Sequence, residues 1–125
     1  MISFDRFIME DGVPIYLQIL LYLKRGIIAG TIVSGDELPS RRVLSALLGV
    51  NPNTVQKSYA MLEEEGLIHS QSGAKSSMVL DQEKIARLRR ELLVGDARAI
   101  VSTLRQMGLN KQEAINLIET YWNEV

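Results

Sequence analysis

The stretch Leu38-Pro39-Ser40-Arg41-Arg42, followed by Gly49-Val50-Asn51-Pro52-Asn53-Thr54-Val55, decides the fold of this chain. Ser40 suits the cap of a helix from about Arg41 to Leu48, with Val43, Leu44 and Leu47 turned inward. Gly49 ends that helix, because glycine tolerates the left-handed conformation at a helix terminus. Asn51-Pro52 then gives an N-cap and a first-turn proline. Only the turn Gly49-Val50-Asn51 separates this helix from the next, so the two must cross steeply. That is a helix-turn-helix, a motif whose second helix enters the major groove of DNA.

The second helix runs to about Glu65, and Gly66 stops it. Val55, Tyr59 and Leu62 share one face; Asn53, Gln56, Lys57 and Ala60 project from the opposite one, by the 100° step per residue. The outer face is small, polar and singly basic, which suits close approach to base edges. Leu67–Gln71 and Ser76–Leu80 flank Ser72-Gly73-Ala74-Lys75 and read as a two-stranded hairpin. A hairpin directly after a helix-turn-helix is a wing.

Upstream, Pro14 begins a helix on which Tyr16, Ile19, Leu20, Leu23 and Ile27 recur at helical spacing, with Gly30 as its stop. Ser34-Gly35-Asp36-Glu37 reads as a loop. Residues 1–11 form a short arm, and Ile2, Phe4, Phe7 and Ile8 predict that it docks. Downstream of Asp81, Ile85, Leu88 and Leu92 mark one helix, to about Val94, and Gly95-Asp96 breaks and recaps the chain. Ile100, Val101, Leu104 and Met107 mark a second, ended by Gly108. Asn110 with Glu113 resembles a capping box for a third, carrying Ala114, Ile115, Ile118, Tyr121 and Trp122. The expected architecture is mainly α with a small β-hairpin: a winged helix-turn-helix domain over residues 1–80 and a helical tail over 81–125.

At 125 residues and 46% hydrophobic content the chain suits one ordinary domain plus an appendage. It contains no cysteine, which excludes disulfides, thiolate metal sites and a cysteine nucleophile. Its start lacks a basic region followed by a long apolar run, and no apolar stretch approaches the roughly 20 residues needed to span a bilayer. A cytoplasmic protein without membrane contact is the simplest expectation. The net charge of −1 argues mildly against nucleic acid, but distribution matters more than the sum. Residues 1–80 hold 7 basic and 8 acidic side chains, and Arg41, Arg42, Lys57 and Lys75 fall in the expected reading region. Glu63-Glu64-Glu65 sit at the far end of the second helix, placed to point away from phosphate.

Arg41 and Arg42 are candidates for phosphate or base-edge contacts, with ordinary surface charge or a salt bridge to Glu37 as the bland reading. Asn53, Thr54, Gln56 and Lys57 occupy the first turns of the reading helix. Amide side chains pair bidentately with adenine, while Thr and Lys serve phosphate or guanine. Asn53 has capping of its own helix as its bland reading. Ser40 and Asn51 complete the candidate DNA-binding set as helix starts, and Gly73 and Lys75 as the wing tip, where backbone N–H groups and one ammonium can approach phosphate. Catalysis finds little support. His69, the single histidine, lies at a wing-strand position without a partner nearby in sequence. There is no Gly-rich phosphate loop and no metal-ligand spacing, so neither cofactor nor metal is expected.

The tail poses a separate question. Three amphipathic helices in 45 residues can hardly bury Ile85, Leu88, Leu92, Ile100, Leu104, Ile118, Tyr121 and Trp122 by themselves. Apolar stripes on that scale mark a subunit interface, and two-fold pairing would set two reading helices about 34 Å apart. The alternative is a tail packed only on its own winged domain. A tail this small leaves little room for a metabolite pocket, and any small-molecule effector is unspecified.

Four blocks together resemble the GntR family of bacterial transcription regulators: Pro14–Ile19, Gly35–Arg42, Gly49–Val55 and Leu62–Ile68. The likeness covers roughly residues 12–80. The Asn-Pro-Asn-Thr-Val helix start and the short helical tail resemble the YtrA subfamily. That resemblance implies a small homodimer, typically a repressor of operons encoding ABC transporters. It also implies DNA contacts at Arg42, Asn53, Thr54 and Gly73. The chain departs from many relatives in having Pro52 and Gln56 where they carry Arg, so Gln56 would favour adenine. It also has Lys75-Ser76-Ser77-Met78-Val79 where the family's wing often ends in Gly-Thr-Phe-Val. The rival reading is a winged module in which the second helix docks a protein partner; the near-neutral charge and the missing arginines keep it open, and steep salt dependence would distinguish DNA binding from it.

Overall fold

The computed structural model describes residues 1–71 and 75–125. Five helices and three short strands follow one another as α1 (Ile15–Ala29), β1 (Glu37–Leu38), α2 (Arg41–Leu48), α3 (Pro52–Glu64), β2 (Ile68–Ser70), β3 (Ser76–Met78), α4 (Gln82–Gln106) and α5 (Lys111–Tyr121). The chain divides into two compact units, Met1–Leu88 and Arg89–Val125. The first unit thus runs past residue 80, where the sequence places the end of the winged domain, and includes the first turns of α4.

The core of the first unit is built on α1 and α3. Ile19, Leu20, Leu23 and Ile27 of α1 and Val55, Ser58, Tyr59 and Leu62 of α3 are buried. Gly26 lets the chain after α1 fold back closely, since a Cβ there would lie 2.6 Å from Ile32 Cδ1. The arm docks through Ile2 and Phe4, which are buried, while Ile8 is exposed, against expectation. The ring of Phe4 lies 5.0 Å from that of Tyr22, and Phe7 meets Tyr22 edge-on at 5.3 Å. Tyr22 Oη donates to the Ser3 carbonyl at 2.8 Å, fixing the arm along α1.

The local punctuation of the helix-turn-helix is as the sequence predicts. Ser40 Oγ accepts from the Val43 N–H at 3.1 Å, and Asn51 Oδ1 accepts from the Asn53 N–H at 2.8 Å. Gly49 turns between the helices at φ 67°, a value that favours glycine. The inner face of α2 differs from the expected one. Leu44 and Ser45 are buried, whereas Val43 and Leu47 are 55% and 62% exposed. The inward stripe is Arg41, Leu44, Ser45 and Leu48, spaced i, i+3, i+4, i+7. Leu44 belongs to both possible stripes, so periodicity in eight residues could not separate them.

The wing is one strand larger than expected. β3 pairs antiparallel with both β1 and β2, matching Leu38 with Ser76 and Ile68 with Met78. Glu37 therefore lies in a strand rather than a loop. Two residues cannot show an alternating pattern, and the pairing partner lies about forty positions away in sequence. The Gln71 N–H donates to the Lys75 carbonyl at 2.9 Å, closing the hairpin.

In the C-terminal region the expected break at Gly95-Asp96 does not occur: α4 is one helix of 25 residues, and the tail holds two helices instead of three. An interior glycine costs about 1 kcal/mol relative to alanine. The flanking helix formers Glu91, Leu92, Leu93, Ala97, Arg98 and Ala99 outweigh that. α5 starts with the expected capping box, in which Asn110 Oδ1 accepts from the Glu113 N–H and Glu113 Oε1 accepts from the Asn110 N–H. Leu88 is 3% exposed inside the first unit, so it belongs to that core and not to a subunit interface. Ile85 and Leu92 are half-buried. From Arg89 to Val125 no residue is buried. Ile100, Ile118, Tyr121 and Trp122 are exposed there, and Leu104 is half-buried.

Candidate nucleic-acid interface

α3 sorts its side chains cleanly. Asn53, Gln56, Lys57 and Ala60 are exposed, and Val55, Ser58, Tyr59 and Leu62 are buried. The helix is seated on α1 by Ser58, whose Oγ donates to the Tyr16 carbonyl at 2.7 Å. Lys57 Nζ stands 3.9 Å from the centre of the Tyr16 ring, a cation–π contact that holds the ammonium on the α1 side. Thr54 is half-buried at the first turn. Asn51 and Ser40 serve as caps, each side chain bonding a backbone N–H of its own helix.

The two arginines at the start of α2 have different surroundings. Arg42 is exposed. Arg41 lies on the inner stripe, where its guanidinium carbon stands 5.1 Å from the centre of the Tyr59 ring. Its Nε donates to Gln56 Oε1 on α3, and Nη1 and Nη2 donate to Ser76 Oγ and Ser70 Oγ on the wing, each at 3.4 Å. The two serine hydroxyls are themselves 2.9 Å apart. One guanidinium therefore joins α2, α3 and the wing. Burial pushes the Tyr59 phenol far above its ordinary pKa, and the Arg41 charge partly opposes that rise.

Lys75 is exposed at the end of the hairpin, and Gly73 lies outside the described residues. His69 is exposed on β2, across from Ser77. Among the described residues no group of His, Cys, Asp and Glu is placed to hold a metal ion. The acidic run ending α3 has defined partners: Glu65 pairs with Lys24 at 2.9 Å, and Glu63 Oε1 accepts from the Ser70 N–H at 3.3 Å. These contacts and the roles of Tyr16, Ser58, Tyr59, Ser70 and Ser76 were missed by the sequence. The one available signal was that Arg41 shares a helical stripe with Leu44, Ser45 and Leu48.

A polar, exposed helix face flanked by a three-stranded wing defines a winged helix-turn-helix reader of nucleic acid. Residues 15–76 match the family of bacterial regulatory proteins named for gntR. Over 117 residues the chain is 33% identical to the uncharacterized HTH-type transcriptional regulator YhcF of Bacillus subtilis, covering 90% of this chain and 93% of that protein. Over 64 residues it is 42% identical to the HTH-type transcriptional repressor YtrA of B. subtilis, covering 51% of this chain and 49% of that one. The solved structure of a GntR family transcriptional regulator from Listeria monocytogenes is similar at a TM-score of 0.79 and 33% identity, over 90% of this chain and 98% of that chain. The chain belongs to the GntR family and is a DNA-binding transcriptional regulator, not an enzyme. Among the described residues no helix is long and apolar enough to cross a membrane.

Proposed function

We propose that this protein is a homodimeric, cytoplasmic repressor that occupies a near-palindromic operator and blocks RNA polymerase. The observation that carries the DNA-reading part is the exposed face of α3, which presents Asn53 and Gln56, with Gln56 joined to the wing through Arg41. Asn53, Thr54 and Gln56 meet base edges, and Arg42 and Lys75 meet phosphates on either side. Ser40 and Asn51 set the helix starts, and Lys57, held over Tyr16, lends charge at the flank. The resemblance to the YtrA subfamily implies an operon encoding an ABC transporter as the target.

Pairing is supported by the second unit, which buries none of its residues while exposing Ile100, Ile118, Tyr121 and Trp122. A second copy of the same helices is the simplest cover for that surface. Two reading helices would then face half-sites about one DNA turn apart.

Selection of bound duplexes from a random library, using the purified protein, tests the reading. Enrichment of an inverted repeat, with Gln56→Ala losing about 1–3 kcal/mol of discrimination at one position, is the expected result. A folded protein that enriches no sequence, or whose binding resists salt, favours the protein-docking module instead.

A further inference from the structure

We infer that Arg41 is a positioning residue for base reading, acting through Gln56 rather than by gripping DNA phosphate. This rests on the proposed DNA-reading role of α3 and deepens it. Arg41 emerges from the inward stripe of α2, and its guanidinium is seated before any DNA arrives. The Tyr59 ring lies 5.1 Å below it, and Ser70 and Ser76 receive its two terminal nitrogens. Three of the five N–H donors of an arginine are thereby engaged, the third by Gln56 Oε1.

The consequence falls on Gln56. A free glutamine amide presents either end, because its oxygen and nitrogen interchange by a half-turn about the last side-chain bond. Here a charged donor faces the oxygen, and the flipped amide would set NH2 against the guanidinium. The amide is thus fixed with Oε1 toward Arg41, which leaves the Nε2 amino group of an exposed side chain as the end for DNA. An amino group needs an acceptor. At the base edge that Gln56 faces, guanine offers N7 and O6, adenine N7 and thymine O4, whereas cytosine offers only its N4 donor and puts its partner guanine's acceptors on the far strand. The adenine preference of a free glutamine accordingly broadens to a rejection of cytosine. The fixed amide also binds without first losing its own rotational freedom.

The test measures affinity of the full chain for its selected operator and for the four bases at the position where Gln56→Ala relaxes preference. The informative variant is Arg41→Met. Methionine keeps an apolar stem over Tyr59, and Ser70 and Ser76 remain hydrogen-bonded to each other, so the fold is retained. Wild type should reject cytosine by about 10- to 100-fold, the scale of one base contact. Arg41→Met should lose most of that factor at the same position while Gln56 is still present. The double variant with Gln56→Ala should discriminate no worse than Gln56→Ala alone. If Arg41→Met instead weakens all duplexes equally and lowers the salt slope by about one, Arg41 is a phosphate ligand and the inference is overturned. If the variant keeps full preference with only a lower melting temperature, the contact is structural and the inference also fails. Should wild type itself select no sequence, the DNA-reading proposal falls and takes this one with it, which separates the two failures.

Discussion

Tyr59 Oη donates a 2.7 Å hydrogen bond to the carbonyl of Pro39, tying the middle of α3 to the residue just before the cap of α2. The phenol is fully buried, and its partner fixes where α2 begins relative to the reading helix. This bond, not the Gly49 turn alone, holds the two helices in one arrangement.

The same phenol makes stability fall at alkaline pH. Burial raises its folded-state pKa, with Arg41 opposing. The unfolded chain releases the phenolic proton from about pH 10 upward, while the folded chain retains it. The stabilisation is therefore complete below pH 10 and is lost as pH rises, at about 1.4 kcal/mol per pH unit from this group. Tyr59→Phe should cost about 1–3 kcal/mol at neutral pH by orphaning the Pro39 carbonyl, yet decline less steeply above pH 10. Denaturant titrations across that range check it; parallel slopes for both proteins would assign the alkaline loss elsewhere.

Lys84 latches the start of α4 onto the winged unit. Its Nζ donates to the Gly66 carbonyl at 2.7 Å and the Val79 carbonyl at 3.0 Å, and Asp81 caps the same turn through the Lys84 N–H at 2.8 Å. Lys84→Met should destabilise the protein by about 1.5–3 kcal/mol, the range for a bond to a charged donor. An unchanged midpoint in thermal unfolding would mean that water replaces the ammonium without loss.

Gly95 lies inside a helix with nothing within 4 Å of where a Cβ would stand. Gly95→Ala should stabilise by about 0.5–1 kcal/mol, through helix propensity alone. A destabilised variant would show that another surface closes on this position in the assembled protein.

Trp122 is 73% exposed and Ile118 43%, on the surface proposed for pairing. Trp122→Asp should shift the protein toward monomer in sedimentation velocity and weaken operator binding by at least tenfold, since a monomer holds a single half-site. A variant that remains dimeric, together with a dimeric Ile118→Asp, would place the interface elsewhere.

The sequence by itself determined the features whose chemistry is local. Ser40, Asn51 and the Asn110–Glu113 pair cap the helices they precede, and Gly30 and Gly49 end the helices they follow, because cap and backbone partner lie within a few residues. The polar outer face of α3 was equally legible, since thirteen residues give a 3.6-residue period enough repeats. Tertiary structure decided what depends on distant partners. β1 exists only because β3 is there to pair with it, and Leu88 enters the core because the first unit extends that far. The run of α4 through Gly95 is local by contrast: the helix formers on both sides outweigh one weak residue. The direction of Arg41 was settled by Tyr59, Ser70 and Ser76, which are 18 to 35 positions away in sequence. An arginine at a helix start reads locally as a phosphate ligand. Only the packing of three elements around it turns its guanidinium toward Gln56.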